Sequence, residues 1–146
     1  TTLVCAVARS DMAVIGNIGD SRAYHITPEG IFQISRDHSV VENMVAKGDL
    51  TPLEARTHPN RNLITRALGP DIHAKADTFE LPWHKDEFLL LCSDGLVNTV
   101  SDQEMLFEVL HDGDVNECLD HLLQISLQRG APDNITAVLL LNEEGR

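Results

Sequence analysis

Several features that assign a protein to a broad class are scarce or missing in this sequence. No run approaches 18 consecutive apolar residues, and no charged region followed by an apolar one stands at the N-terminus, so neither a membrane-spanning helix nor a secretion signal is predicted. Basic residues are few: 11 Lys and Arg against 23 Asp and Glu give a net charge of −12. A field of that sign repels phosphate backbones and anionic lipids. We therefore expect neither nucleic acid nor a membrane surface as a partner.

Cysteine is also scarce, and the spacing of the cysteines does not match a disulfide framework. Cys5, Cys92 and Cys118 are far apart, without a C-x-x-C pair. An odd count of this kind indicates a reducing compartment, which we take to be the cytoplasm. Cys5 and Cys92 lie inside apolar runs, where a reduced thiol is expected to pack as a small hydrophobic group.

The remaining composition is that of one folded unit. The chain has 146 residues, of which 42% are hydrophobic, enough for a single domain with its own core. It contains no internal repeat, linker or low-complexity tract, so residues 1–146 are predicted to form one unit. Thr1 and Thr2 enter an apolar run at once, which predicts that the chain begins inside a domain.

Short apolar runs separated by turn residues fill the first third, a pattern typical of an antiparallel meander. The predicted elements are a buried strand at 3–8, a β-hairpin whose strands 12–18 and 23–26 flank the bend 19–22, and a turn at 28–30 leading into a strand at 31–34.

The middle of the chain has helix signals instead. Ser39 and Thr51 are placed as N-caps of two short helices, with Pro52 at a first helical position. This segment, which ends at residues 58–62, is thus predicted to leave the sheet.

The last part of the chain has signals for two strands, then two helices, then a final strand. Strands are predicted at 74–81, at 87–92 (almost wholly apolar and therefore central) and at 134–141, with helices after the caps Ser101 and Asp114 and a stop at Gly130. Strands segregated from helices predict an α+β layered fold rather than a doubly wound parallel sheet.

Three aspartates stand where a predicted strand meets a turn: Asp20, Asp94 and Asp133. Ordinary turn chemistry explains each one alone. If their strands are neighbours, however, the carboxylates converge at one end of the sheet, where like charges repel. Hard cations such as Mg²⁺ or Mn²⁺, which take oxygen ligands, would offset that cost. Zinc is not predicted, because no histidine pair has the H-x-x-x-H spacing.

Two other hydrolytic chemistries have weaker support. A Gly-Asp-Ser esterase would use Ser21 as nucleophile, but the Asp-x-x-His motif that would supply its base is missing. A cysteine-dependent phosphatase needs arginine six positions after its nucleophile, and Asn98 stands at that distance from Cys92.

Five blocks in order resemble the type 2C, metal-dependent serine/threonine protein phosphatases, in their bacterial branch. The blocks are residues 19–24 (GDSRAY), 37–39 (DHS), 58–69 (HPNRNLITRALG), 91–96 (LCSDGL) and 133–136 (DNIT). The similarity runs from Thr1 to about Leu141. A single tetrapeptide would carry no weight, but five blocks at matching separations are specific.

The resemblance implies a β-sandwich of two antiparallel sheets flanked by helices, with a binuclear Mn²⁺ or Mg²⁺ centre at one end. Within it, Asp94 and Asp133 should bind the metal pair, and Asp20 together with Asp94 should hold a third, weaker ion. A metal-activated water would attack phosphoserine or phosphothreonine in line, without a covalent phosphoenzyme. The implied partners are phosphoprotein substrates and a serine/threonine kinase that phosphorylates them.

The same resemblance makes residues 38–66 a flap beside the active site that bears on substrate choice. His38, Arg61 and Arg66 are its candidate residues, although His38 could equally face solvent and the arginines could pair with nearby carboxylates. Ser93, Gly95 and Asn134 are expected to support the metal ligands from behind.

One departure from the family pattern limits these expectations. The N-terminal Asn-Glu-Asp and Asp-Gly blocks of the family, and its phosphate-binding arginine, are not in the sequence. The chain is therefore expected to be the C-terminal part of the domain, to bind metal weakly by itself, and to have negligible activity. Bare sheet edges could pair in a strand-exchanged dimer. The alternative function is a non-catalytic interaction or regulatory domain on the same scaffold.

Overall fold

The structure, a computed structural model, describes residues 1–111 and 114–144. Its strands are β1 (Leu3–Ala8), β2 (Met12–Ile18), β3 (Arg22–Thr27), β4 (Gly30–Gln33), β5 (Asp77–Pro82), β6 (Phe88–Cys92) and β7 (Ala137–Leu141). Its helices are α1 (Val40–Lys47), α2 (Pro52–Thr57), α3 (Asp94–Val97), α4 (Asp102–His111) and α5 (Val115–Gln128).

The strands form two antiparallel sheets, ordered β1-β2-β5 and β4-β3-β6-β7. One apolar cluster lies between the sheets and includes Ile15 of β2 and Leu89 of β6. A second cluster lies on the other face of the four-stranded sheet, where Leu90 of β6 packs with Met105 of α4 and Leu122 of α5. Successive residues of β6 thus enter different cores, which explains why this strand is apolar throughout. The predicted α+β sandwich and the central position of β6 are confirmed.

The predicted hairpin around residues 19–22 is wrong. β2 pairs with β1 and β5, whereas β3 pairs with β4 and β6, so the bend is a corner between the two sheets. Gly19 has φ 112°, a left-handed conformation that favours glycine and lets the chain change sheets there. The true hairpins are β1–β2 and β3–β4, the second closing at the predicted turn, where Thr27 pairs with Gly30.

β1 differs from its prediction in burial. It spans the predicted residues but is an edge strand whose residues are exposed or only half-buried. Cys5 is consequently exposed, contrary to expectation, whereas Cys92 and Cys118 are buried. An apolar run alone cannot distinguish an edge strand from a central one, because the paired neighbours decide it.

Helix caps follow the sequence closely. The Ser39 side chain accepts from the Glu42 N–H, and the Thr51 side chain forms a reciprocal capping box with Glu54. Asp114 caps α5 through the Asn116 N–H. The short helix α3 was not predicted, since four residues give no periodicity. Within the described residues, no helix is both long and apolar enough to cross a bilayer.

An ion pair at the start of α4 makes a testable contribution to stability. Glu104 accepts hydrogen bonds from Arg129 and from the Ser101 N–H. These bonds lower the pKa of Glu104 from 4.5 to about 2, and the bond from Arg129 has the larger effect. Because the folded pKa lies below the unfolded one, the stabilisation is present above about pH 4.5 and is lost as the pH falls towards 2. We expect Glu104→Gln to lower the urea midpoint at pH 7 and to flatten its decline between pH 4.5 and 2. An unaltered pH profile would contradict this, and Glu80→Gln, at an exposed position of β5, is the control.

Candidate metal centre

Strand register brings Asp20 and Asp94 to the same end of the four-stranded sheet. β3 and β6 are antiparallel, with Arg22 opposite Cys92. Asp20 precedes Arg22 by two residues and Asp94 follows Cys92 by two, so both continue beyond the same pair. They line one cavity of about 480 Å³ between the sheet end and helices α1 and α2.

Asp133 reaches this region from the next strand. Cys92 pairs with Ala137, the first residue of β7, and Asp133 lies in the loop before it rather than at the start of a strand as predicted. Its Oδ1 accepts from the Asn134 N–H at 2.7 Å, so Asn134 shapes the Asp133 turn. Asp133 is exposed and lines a second cavity of about 350 Å³.

Ser93 and Gly95 fasten the Asp94 and Asp133 segments together. The Ser93 N–H donates to Thr136 O at 2.9 Å, and Ser93 Oγ accepts from the Thr136 N–H at 3.0 Å. Gly95 is buried against the chain at Asn134, where a Cβ on Gly95 would lie 2.2 Å from the Asn134 carbonyl oxygen. Only glycine permits this approach of the two segments.

A methyl group at Gly95 should therefore separate them. We expect Gly95→Ala to cost about 1–3 kcal/mol of unfolding free energy, because backbone must shift rather than a flexible side chain. Urea unfolding followed by circular dichroism measures this cost. Asn98→Ala, at the exposed end of the same helix, should change stability by less than about 0.5 kcal/mol. Equal stabilities of the two variants would contradict the close packing.

The electrostatics single out Asp94 as the middle member of the three. Burial raises the pKa of Asp94, and the charge of Asp133 raises it further. Burial also raises the pKa of Asp20, followed by the charge of Asp94. Asp94 thus interacts with both other carboxylates. Even so, among the described residues no three His, Cys, Asp or Glu side chains stand close enough to hold a metal ion by themselves.

The donor type nevertheless fits a hard divalent cation. Asp37, which lines the same cavity, is neutralised by a two-pronged contact from Arg22, at 2.9 Å and 2.8 Å. In the described part of the chain, Asp20 and Asp94 have no such basic partner. Two half-buried carboxylates that have raised pKa values and no ion-pair contact within the described residues suit an ion with oxygen ligands. Sequence reasoning missed the Arg22–Asp37 pair, since nothing in a 15-residue separation signals it.

The three predicted flap residues have different surroundings in the structure. His38 does not face solvent: it is 6% exposed, with both ring nitrogens hydrogen-bonded. Arg66 donates to Asp77 Oδ1 at 2.8 Å, which is a carboxylate of β5 rather than of the flap. Arg61 lines both cavities, together with Arg56, which sequence reasoning did not select. Neither of these two side chains has an ion-pair partner within the described residues.

The structure removes the two alternative nucleophiles. Burial raises the pKa of Cys92 to about 12, so its thiol is not ionised at neutral pH. Ser21 Oγ lies 3.3 Å from Thr2 Oγ1. His38, which contacts Gly19 in the same corner, uses both ring nitrogens on Gly19 and Asp77.

Known proteins resemble this chain in sequence and in fold. The serine/threonine phosphatase Stp of Listeria monocytogenes is 36% identical over the whole chain, which spans 59% of its length. The crystal structure of Stp1 from Staphylococcus aureus superposes with a TM-score of 0.92 at 41% identity, covering 96% of this chain and 55% of that one. The catalytic domain of the phosphatase PstP, solved in complex with two manganese ions, matches with a TM-score of 0.82 at 33% identity, covering 94% of this chain and 56% of that one.

The chain thus spans somewhat more than half the length of the relatives it matches. A sequence profile of the protein phosphatase 2C family matches residues 1–139. With the fold, the ordered blocks and the relatives in agreement, this chain belongs to the protein phosphatase 2C family.

Proposed function

We propose that the protein to which this chain belongs hydrolyses phosphoserine and phosphothreonine in proteins with the help of Mn²⁺ or Mg²⁺. The observation that carries the proposal is the place of Asp94: it lines the cavity beside Asp20, and its carboxylate interacts electrostatically with those of Asp133 and Asp20. The relative PstP, which was solved with two manganese ions, supports a divalent metal here.

In this proposal Asp94 and Asp133 hold a pair of ions, and Asp20 with Asp94 holds a third, weaker one. Such ions, when bound, neutralise phosphoryl charge and make water a better nucleophile at neutral pH. Asp94 and Asp20 act as ionised oxygen donors. Asn134 supports Asp133 by its N–H, and Ser93 and Gly95 keep the two ligand segments at a fixed spacing.

Substrate recognition is assigned to the flap, residues 38–66. Arg61 lines both cavities and is free to meet a phosphate or an acidic side chain. Arg66 is less available to a substrate, because its guanidinium already donates to Asp77 and to the Lys75 carbonyl oxygen. Arg61 is thus the better candidate for direct contact with a phosphopeptide.

The proposed setting follows from the same chemistry. Substrates are phosphoproteins made by a serine/threonine kinase, and the free cysteines suit the cytoplasm.

The outer edge of β1, with exposed Leu3 and Val7, is a surface on which two copies could exchange strands. Sedimentation of the chain at micromolar concentration tests that last point: a single monomeric species would exclude exchange.

By itself, the 146-residue chain is expected to have negligible activity, because its described acidic side chains do not complete a three-ligand group. The assay is turnover of p-nitrophenyl phosphate with Mn²⁺ present. Measurable turnover by the sequence-verified chain would refute this expectation.

A chimera tests the proposed function itself. The 146 residues replace the corresponding segment of the Listeria relative, so that the rest of that protein supplies whatever this chain does not. We expect hydrolysis of a phosphothreonine peptide that requires Mn²⁺ or Mg²⁺ and stops with EDTA. A folded chimera, shown by its circular dichroism spectrum, that binds Mn²⁺ without turnover would support a regulatory domain instead. If the chimera does not fold, isothermal titration of the chain with Mn²⁺ decides, and heat unchanged by Asp94→Asn would count against the metal site.

A further inference from the structure

His38 holds both backbone polar groups of the residue that precedes Asp20. Its N–H donates to Gly19 O at 2.8 Å, and its ring Nδ1 accepts from the Gly19 N–H at 3.0 Å. Asn17 adds a weaker contact from its amide nitrogen to Gly19 O at 3.4 Å. The corner between the two sheets is therefore held mainly by one residue, through its backbone N–H and its buried ring.

The other ring nitrogen of His38, Nε2, is also hydrogen-bonded. Because Nδ1 accepts a hydrogen bond, the neutral ring carries its proton on Nε2, which donates to Asp77 Oδ2 at 2.8 Å. Arg66 donates to the other oxygen, Asp77 Oδ1. The bonds from His38 and then from Arg66 lower the pKa of Asp77, which keeps this acceptor charged.

His38 is also the point where the flap leaves the sheet and returns to it. Its carbonyl oxygen accepts from the Thr65 N–H at 2.8 Å, and Ser39 bridges to Ile64 beside it. The entry and exit of the flap thus meet at a residue whose other contacts fix the Asp20 turn. A change in the flap can therefore reach the Asp20 turn through one residue, by way of its backbone and its ring.

We propose that His38 is a positioning residue that couples the two ends of the flap to the turn carrying Asp20, and so sets the geometry of the weaker metal position. The metal part of this inference rests on the proposed function. The coupling itself depends only on the contacts of His38 and can be tested without metal.

The first test uses the complete 146-residue chain without metal. Two-dimensional ¹⁵N NMR of the His38 ring should show an Nε2–H tautomer, and a ring protonated on Nδ1 would overturn the inference, whether or not any variant folds. In His38→Leu, hydrogen exchange at the Gly19 and Thr65 amides should accelerate about tenfold or more relative to core amides. His38→Gln, whose amide can both accept and donate, should restore part of the protection.

A matched histidine controls for the loss of a carboxylate partner. His25 Nε2 lies 2.8 Å from Glu87 Oε2, the same distance as His38 from Asp77, but on β3 away from the flap. His25→Leu should leave exchange at Gly19 and Thr65 unchanged. Equal acceleration by both substitutions, or none in a folded His38→Leu, would show that His38 does not position the turn.

The second test adds Mg²⁺ and follows amide shifts. In His38→Leu we expect the apparent Mg²⁺ affinity at the Asp20 amide to fall about tenfold, within the range for residues that orient metal ligands, while the response at Asp133 stays within twofold. A uniform loss at both sites would overturn the inference. If the unsubstituted chain shows no Mg²⁺ response at either aspartate, the proposed metal site fails, and the exchange experiment still decides the role of His38.

Discussion

Replacing Asp94 by asparagine is expected to lower the phosphatase activity of the chimera by more than about a hundredfold. Substitutions that only orient metal ligands cost tenfold to a hundredfold, so the loss of a shared ligand should cost more. In the proposal Asp94 contributes to the metal pair and to the third ion, whereas Asp20 contributes only to the third. We therefore expect a smaller loss from Asp20→Asn, visible mainly at low metal concentration. Initial rates on a phosphothreonine peptide over a Mn²⁺ series measure both effects.

The same substitution should stabilise the metal-free chain. Burial and the charge of Asp133 raise the pKa of Asp94, so its ionised form at neutral pH is less favourable in the folded than in the unfolded state. Because Asp94 is only half-buried, solvent screening keeps the gain below about 1 kcal/mol. Loss of activity together with a higher urea midpoint is the signature of a functional carboxylate kept at a cost to stability.

Asp102→Asn is the matched control for Asp94→Asn. Asp102 lines the same cavity but is not among the predicted ligands. Its substitution should leave the Mn²⁺ dependence unchanged. An equal loss of activity in the two variants would mean that the general negative potential of the cavity, rather than Asp94, is responsible.

Leu90→Ala should produce the largest loss of stability, about 2–5 kcal/mol. Leu90 is 0% exposed in the middle of β6, where it packs against the helices, and its removal leaves a cavity between the four-stranded sheet and helices α4 and α5. Since β6 leads directly into Asp94, the same substitution should weaken Mn²⁺ binding at the candidate metal centre. Urea unfolding at pH 7 measures the first effect and Mn²⁺ titration the second.

Val138→Ala on the neighbouring strand tests whether burial is the cause. Val138 is 50% exposed, so its truncation should cost less than about 1 kcal/mol. A similar cost at both positions would contradict the assignment of β6 as the centre of the two cores.

The sequence predicted the elements well because their signals are local. Caps at Ser39, Thr51 and Asp114 and the turn after Thr27 are fixed by hydrogen bonds within a few residues. Strands β5 and β7 begin three residues later than predicted. Strand ends depend on where the partner strand stops pairing, which no local pattern records.

The corner at Gly19 was missed for a different reason. A bend between two apolar runs is compatible with a hairpin or with a change of sheet, and the choice depends on distant partners. β2 pairs with β1 and β5, whereas β3 pairs with β6. The paired residues of β3 and β6 are 62 or more positions apart in the sequence. Local turn chemistry is the same in both cases, so pattern reasoning favoured the commoner arrangement.

The acidic residues of the candidate site could be predicted from the sequence, but the contacts that hold their surroundings in place could not. Asp20, Asp94 and Asp133 stand out because each follows or precedes an apolar run. By contrast, the Arg22–Asp37 pair, the helix α3 and the buried contacts of His38 depend on three-dimensional proximity. The assignment of the three aspartates as metal ligands stays a prediction.

The most direct measurement is anomalous diffraction from crystals of the chimera soaked in Mn²⁺. We expect manganese peaks bound to Asp94, one shared with Asp133 and a weaker one shared with Asp20, at about 2.0–2.2 Å from carboxylate oxygens. A well-ordered Asp94 without manganese beside it, in crystals whose solution activity requires Mn²⁺, would contradict the account.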